Sequence, residues 1–255
     1  MADGIRAVTF DLWDTMIRDD SDEPRRTARG LGSKRDDRRR LLHEALCRDA
    51  GIAYETVAAA YDAADAAFNK AWKEGHVTWT LRERLDVALA ELGRTLAGDA
   101  LDRLVAATEN MEIDVPPDPV EGIAGALAAL AGSYRLGVVS DAIVSPGRVL
   151  RRLLEHHGLA RHFSGFVFSD EIGCSKPDPR MFHSAAEQLG VEPGEMVHVG
   201  DRDHNDVKGP QALGMKAVLF SGVRSVDEQT TSADAICRDH GKLPAIIDRL
   251  ATDHR

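Results

Sequence analysis

The sequence predicts an α/β fold, a doubly wound parallel sheet carrying an inserted all-helical block, and three observations lead there. Ile5 to Phe10 is a short apolar run rich in β-branched and aromatic residues, the pattern of a strand buried on both faces. Apolar residues from Arg39 to Asn110 recur at helical spacing. Beyond Pro119, helix and strand patterns alternate, which is how βαβ units build a parallel sheet.

The elements follow in order. The first strand ends abruptly at Asp11-Leu12-Trp13-Asp14-Thr15. Arg18 to Arg40 is almost wholly polar, with acids at Asp19, Asp20, Asp22 and Glu23 and a basic cluster from Arg25 through Arg40; it reads as a solvated, mobile excursion. Four helices come next. Leu42, Ala45 and Leu46 mark the first, and Val57, Tyr61, Ala64, Phe68 and Trp72 the second. Leu81, Leu85, Ala88 and Leu92 mark the third, and Leu101, Leu104, Val105 and Thr108 the fourth. The aromatic stripe Tyr61, Phe68, Trp72 reads as core of this block. Val115-Pro116-Pro117-Asp118-Pro119 closes it, because successive prolines cannot continue a helix.

A helix over Val120–Leu130 then leads to a strand over Tyr134–Val139, and a helix over Pro146–His157 stops at Gly158 before a strand over Phe166–Phe168. A helix over Pro179–Leu189 stops at Gly190, a strand over Met196–Val199 follows, then a helix through Leu213 and a strand over Lys216–Phe220. The expected domains are therefore residues 1–17 with 117–255 as an α/β core, and residues 18–116 as a helical insertion.

Composition narrows the classes. Of 255 residues, 43% are hydrophobic and 29% charged, as in ordinary globular chains, so disordered and collagenous readings fall away. The formal charge of −10 gives no ground for a duplex nucleic-acid surface. Three cysteines, Cys47, Cys174 and Cys237, without a C-x-x-C pair argue against a disulfide framework or structural zinc site. An acid at Asp11 precedes any long apolar run, and no stretch approaches the ~20 apolar residues of a membrane span. A cytoplasmic protein, monomeric or homodimeric, with a small-molecule partner and neither nucleic acid nor membrane, is the expectation.

In an open parallel sheet, ligands bind beyond the carboxyl ends of the strands. The residues there are Asp11, Ser140, Lys176 and the run Gly200-Asp201-Arg202-Asp203-His204-Asn205-Asp206. Carboxylates gathered at one edge repel unless a cation sits among them, and hard oxygen donors suit magnesium. A lysine and a serine hydroxyl opposite suit a phosphate-like anion. His198, inside a core strand, reads as a packed, hydrogen-bonded residue rather than a ligand.

In this order, Phe10-Asp11-Leu12-Trp13-Asp14-Thr15, Val139-Ser140-Asp141, Ser175-Lys176-Pro177-Asp178-Pro179 and Gly200-Asp201 through Asp206 resemble the four motifs of the haloacid dehalogenase superfamily of hydrolases. The flank Val207 to Met215 resembles that family's helix after the fourth motif. The resemblance implies a Rossmann-like core with a substrate-selecting helical cap, and a magnesium-dependent phosphatase acting on a small phosphorylated metabolite. It implies Asp11 as the nucleophile that forms an aspartyl-phosphate, with Ser140, Asp141 and Lys176 binding the phosphoryl group. It also implies Mg2+ held by Asp11, the Trp13 carbonyl, Asp201 and Asp206, with Asp206 preferred over Asp203.

Two positions depart from that pattern. Trp13 stands where the family's phosphatases carry a second aspartate as acid and base, and an indole cannot exchange a proton at neutral pH. Asp14 stands where glycine is usual; aspartate tolerates a left-handed backbone, so a turn role is expected. Dehalogenases proper also have an aromatic at the first position and need no metal, but they lose the acid pair kept here as Asp201 and Asp206, and they read Ser-Asn where this chain has Ser140-Asp141. A phosphate-binding module that has lost turnover is the third reading.

Overall fold

A computed structural model describes residues 4–48 and 51–252; Met1-Ala2-Asp3, part of the amino-terminal reading above, lie outside the described residues. The chain forms two compact units, one of Met1–Asp19, Pro117–Asp141 and Leu154–Arg255, the other of Asp20–Pro116 and Ala142–Leu153. In order the elements are β1 (Ala7–Phe10), α1 (Glu23–Ala28), α2 (Lys34–Cys47), α3 (Tyr54–Gly75), α4 (Leu81–Glu91), α5 (Gly98–Glu109), α6 (Met111–Asp114) and α7 (Ile123–Leu130). Then follow β2 (Arg135–Ser140), α8 (Gly147–His156), β3 (Gly165–Phe168), α9 (Ser169–Ile172), α10 (Pro179–Leu189) and β4 (Met196–Gly200). A π-helical turn over Asp203–Lys208 leads into α11 (Gly209–Gln211), β5 (Lys216–Phe220), β6 (Ala235–Cys237) and α12 (Leu243–Thr252).

In the first unit six parallel strands lie in the order β3-β2-β1-β4-β5-β6. Every residue of β1 is buried, as a parallel strand flanked on both sides requires. Ala7, Val139, Val167, Met181, Phe182 and Leu189 fill one face of this sheet, and Val207, Ala217 and Leu219 pack together in a second cluster. The chain runs outward from β1 through β2 to β3, then returns to lay β4 against the other side of β1. That reversal is the switch point at which such sheets open a crevice, and it lies between the strands that end in Asp11 and Asp201.

The helical unit is built around Leu42, Val57, Tyr61, Leu81, Leu85, Ala88 and Leu104. Its apolar stripes repeat every three or four residues, and α4 opens with a reciprocal capping box in which Thr80 accepts from Glu83 N and the Glu83 carboxylate accepts from Thr80 N. Tyr61 and Phe68 are buried and Trp72 half-buried. Residues 142–153, which the periodicity assigned to the core, belong here. Arg84 donates to Ile143 O, Ser145 Oγ donates to Glu109 O at 2.9 Å, and Arg152 donates to Asn110 Oδ1 at 2.9 Å.

The reading of Arg18–Arg40 as a solvated excursion is corrected. The segment holds α1 and the start of α2, and Asp22, Arg26, Lys34 and Asp37 are buried. Lys34 Nζ lies 3.1 Å from Asp22 Oδ1 and 3.4 Å from Glu112 Oε2, while Arg26 pairs with Asp37 at 2.5 Å. Charges that look exposed in one dimension are buried here because each meets its opposite. The sequence reading also missed β6 and α12, both past the last recognised strand.

Candidate active site

Each residue singled out at a strand end lies in the sheet unit. Asp11 follows β1, its N–H donating to Val199 O at 2.9 Å, so the first loop is anchored on the neighbouring strand. Asp201 follows β4, and Asp206 lies on the π-helical turn, a geometry often found at functional sites. Carboxylate oxygens of Asp11, Asp201 and Asp206 lie within 4.8 Å of one another. Gly200 makes this approach possible, since a Cβ there would fall 2.3 Å from the Asp206 side chain.

Lys176 is the counter-charge. Its Nζ lies 2.5 Å from Asp11 Oδ1 and 2.6 Å from Asp206 Oδ1, with all three side chains buried. Its backbone N–H donates to Asp141 Oδ1 at 2.9 Å, which ties the loop after β3 to the end of β2. Asn205 Nδ2 donates to Asp141 Oδ2 at 3.4 Å. The Ser140 hydroxyl is fully buried and has no hydrogen-bond partner among the described residues.

Burial and the charges of Asp206 and Asp11 push the Asp201 carboxyl up to about 8. Burial also raises Asp11, against the pull of Lys176, and lifts Asp141 to about 6. Burial penalises the Lys176 ammonium, but Asp11, Asp206 and Asp141 outweigh it and hold the group above its ordinary value. For Asp206 the order reverses: burial favours the acid, yet Lys176 and His198 hold the carboxylate below the usual range.

Lys176 is the one cation in hydrogen-bond contact with this acid set among the described residues; Asp201 Oδ2 is buried without a hydrogen bond there, its nearest cations being Arg224 at 3.8 Å and Arg202 at 3.9 Å. An all-oxygen donor set with a buried carboxyl oxygen outside any hydrogen bond, in a group that burial and its neighbours hold toward the protonated form, fits a hard divalent cation. Asp203, the competing acid, is engaged elsewhere: it accepts from Ser232 N at 3.3 Å and pairs with Lys208 at 2.7 Å. Trp13 forms an isolated bridge with Ile17. Asp14 takes the left-handed backbone, φ 53°, and its Oδ1 accepts from Asp19 N at 3.0 Å, as a turn residue does.

Arg224 went unremarked in the sequence. Its Nη1 donates to Asp201 O at 2.9 Å and to Asp227 Oδ2 at 2.7 Å. It follows β5, a strand end that the motif reading did not use, and that position was the available signal.

A family model described as haloacid dehalogenase-like hydrolase matches residues 5–214. The chain belongs to the haloacid dehalogenase-like hydrolase family. A haloacid dehalogenase-like hydrolase domain-containing protein 3 from Bos taurus is 34% identical over 52% of this chain and 52% of its own length. A glyceraldehyde 3-phosphate phosphatase from Methanopyrus kandleri is 42% identical over 40% of this chain and 43% of its own. The matches thus span about half the length, or less, of these curated relatives. A 2-haloacid dehalogenase from Pseudomonas syringae pv. Tomato DC3000 superposes with a TM-score of 0.66 at 21% identity, over 97% of this chain and all of that one, a likeness of fold. Family members of both chemistries thus share this architecture, and the side chains at the sheet edge must decide between them.

Proposed function

We propose that this family member is a magnesium-dependent phosphatase acting on a small phosphorylated metabolite in the cytoplasm. The observation that carries the reading is the convergence of Asp11, Asp201 and Asp206, two of them paired with Lys176, beside a Ser140 hydroxyl that has no hydrogen-bond partner among the described residues. Retaining three buried carboxylates without a cation would be costly, so the acid set favours phosphoryl over carbon–halogen chemistry. The phosphatase name of the Methanopyrus kandleri relative supports the same choice. Among the described residues no helix is long and apolar enough to cross a membrane.

In this mechanism Asp11 attacks phosphorus as its ester P–O bond breaks, forming an aspartyl-phosphate, and water then cleaves the new P–O bond to release phosphate and free Asp11. Ser140 Oγ donates to a phosphoryl oxygen, and Lys176 neutralises charge on that group and on the nucleophile. Asp11, Asp201, Asp206 and the Trp13 carbonyl would hold Mg2+, which when bound supplies charge compensation for the transferring phosphoryl group. Trp13 donates no proton to the departing oxygen, so esters with weakly basic leaving groups react fastest. The helical unit serves substrate selection.

The test is a panel of aryl, acyl and alkyl phosphates and 2-haloacids, each assayed with magnesium and with chelator, followed by rapid mixing on the best substrate. Magnesium-dependent phosphate release, fastest for aryl and acyl esters and with a pre-steady-state burst, is the expected result. Halide release that survives chelator would instead establish the dehalogenase reading, and binding of phosphate without turnover the module reading.

A further inference from the structure

His198 is fully buried at the middle of β4, and neither of its ring nitrogens is idle. Thr9 is its register partner on β1, and Thr9 Oγ1 lies 2.9 Å from His198 Nδ1. The other nitrogen, Nε2, lies 3.2 Å from Asp206 Oδ1. Phe182 packs edge-on against the ring, 5.2 Å between centroids at 79°, which leaves the imidazole one orientation. A bare Nε2 lone pair facing a carboxylate would repel it, whereas Nε2–H donates to it. Thr9 Oγ1, which also lies 3.4 Å from Val197 O, anchors the ring at Nδ1.

We infer that His198 is a positioning residue for Asp206: anchored by Thr9 and Phe182, its Nε2–H fixes the carboxylate that faces Asp11 and Asp201. The inference rests on the cation-holding role proposed for Asp206. Its physical basis is that Asp206 has few rigid contacts. Lys176 also reaches Asp206 Oδ1, at 2.6 Å, but from a flexible four-carbon stem that Asp11 shares. The rigid contacts are Arg202 N to Oδ2 at 3.0 Å and the His198 ring to Oδ1. Groups that orient a metal-ligating carboxylate from behind typically tune affinity by 10–100-fold.

The two short amides separate the ring's two jobs. A glutamine amide nitrogen at 198 sits at the depth of Nε2 and can still donate to Asp206; an asparagine amide reaches only the depth of Nδ1, toward Thr9. Mn2+ binding, read by electron paramagnetic resonance without substrate, should weaken on the order of 10–100-fold in His198→Asn and His198→Leu, while His198→Gln stays within about threefold of wild type. A merely structural role would move Asn and Gln together. Independently of metal and of any variant's folding, nitrogen-resolved NMR of the wild type should show His198 as the Nε2–H tautomer, with an Asp206→Asn variant shifting that proton. An Nδ1–H tautomer, or wild-type affinity in a folded His198→Asn variant, overturns the inference. If wild type binds no Mn2+ at millimolar concentration, the metal reading fails; the orientation of Asp206 by His198 then stands or falls on the tautomer and the Asp206→Asn shift.

Discussion

In the helical unit, Lys34, Arg26 and Arg38 meet Asp22, Asp37 and Glu112, three cations against three acids. At the sheet edge, Lys176 meets Asp11 and Asp206, while Asp201 faces only the more distant guanidiniums of Arg224 and Arg202, 3.8 and 3.9 Å away. Both clusters are buried, so both carry the desolvation cost of charge. The first offsets it by matched charge, through pairs such as Arg26–Asp37, although Asp22 Oδ2 there is buried without a hydrogen bond among the described residues. The second has more carboxyl groups than cations in hydrogen-bond contact with them. Buried ions alone mark neither stability nor function; the residual imbalance of a cluster is what separates a structural network from a binding site. A third solution is His240, whose imidazole burial holds below its ordinary range, with Nε2 2.7 Å from Thr15 O and the ring stacked on Phe220.

The comparison breaks first at Asp11. Asp11→Asn keeps the side-chain shape but removes the nucleophile, so turnover should fall on the order of 10⁴-fold or more with the fold intact; substantial phosphatase activity in the folded variant would remove the sheet-edge cluster from the chemistry. Next in size is Lys34→Met, which strands the buried Asp22 and leaves Glu112 to Arg38, and should cost about 3–5 kcal/mol of unfolding free energy in urea titrations. A loss below about 1 kcal/mol would mean that the balanced network contributes no more than an exposed surface pair.

Asp201→Asn should act in the opposite direction. Relieving one of three crowded carboxylates should raise the metal-free thermal midpoint by about 2–4 °C, roughly 1 kcal/mol, and abolish the further rise that millimolar magnesium gives the wild type. A lowered midpoint with magnesium stabilisation retained would place the cation elsewhere. At neutral pH the smallest effect belongs to His240, whose imidazole is lowered by burial and whose contribution shows only on acidification. The unfolded chain therefore takes up a proton before the folded one does. The stability this provides is complete above the ordinary imidazole value of ~6.5 and is lost as pH falls below it. Unfolding measured from pH 7 to pH 5 should show a shallower acid loss in His240→Gln, by at most one proton, or ~1.4 kcal/mol per pH unit. Parallel profiles would show that His240 takes up a proton as readily when folded.

Much of this was legible in the sequence. The apolar run before Asp11, the glycines that stop the helices at Gly158 and Gly190, and the turn residues after each strand are local signals, and local signals survive in a one-dimensional reading. Arg26 and Lys34 were misread because a charged side chain looks solvated until its partner is known, and Glu112 lies 78 residues from Lys34. β6 was missed because three residues are too few to show a period.

His198 marks the boundary between the two kinds of knowledge. The sequence by itself determined that a histidine lies in a buried strand ahead of Gly200-Asp201, and that acids follow the ends of β1 and β4, because chain order and side-chain period decide which residues reach a sheet edge. Only the tertiary structure decided that its ring nitrogens bridge Thr9 to Asp206, that Asp203 turns away to Lys208, and that residues 142–153 join the helical unit. The physical reason is that hydrogen bonds and charge compensation depend on distances of a few ångströms in space, and residues 189 positions apart, such as Thr9 and His198, acquire such a distance only when strands pair.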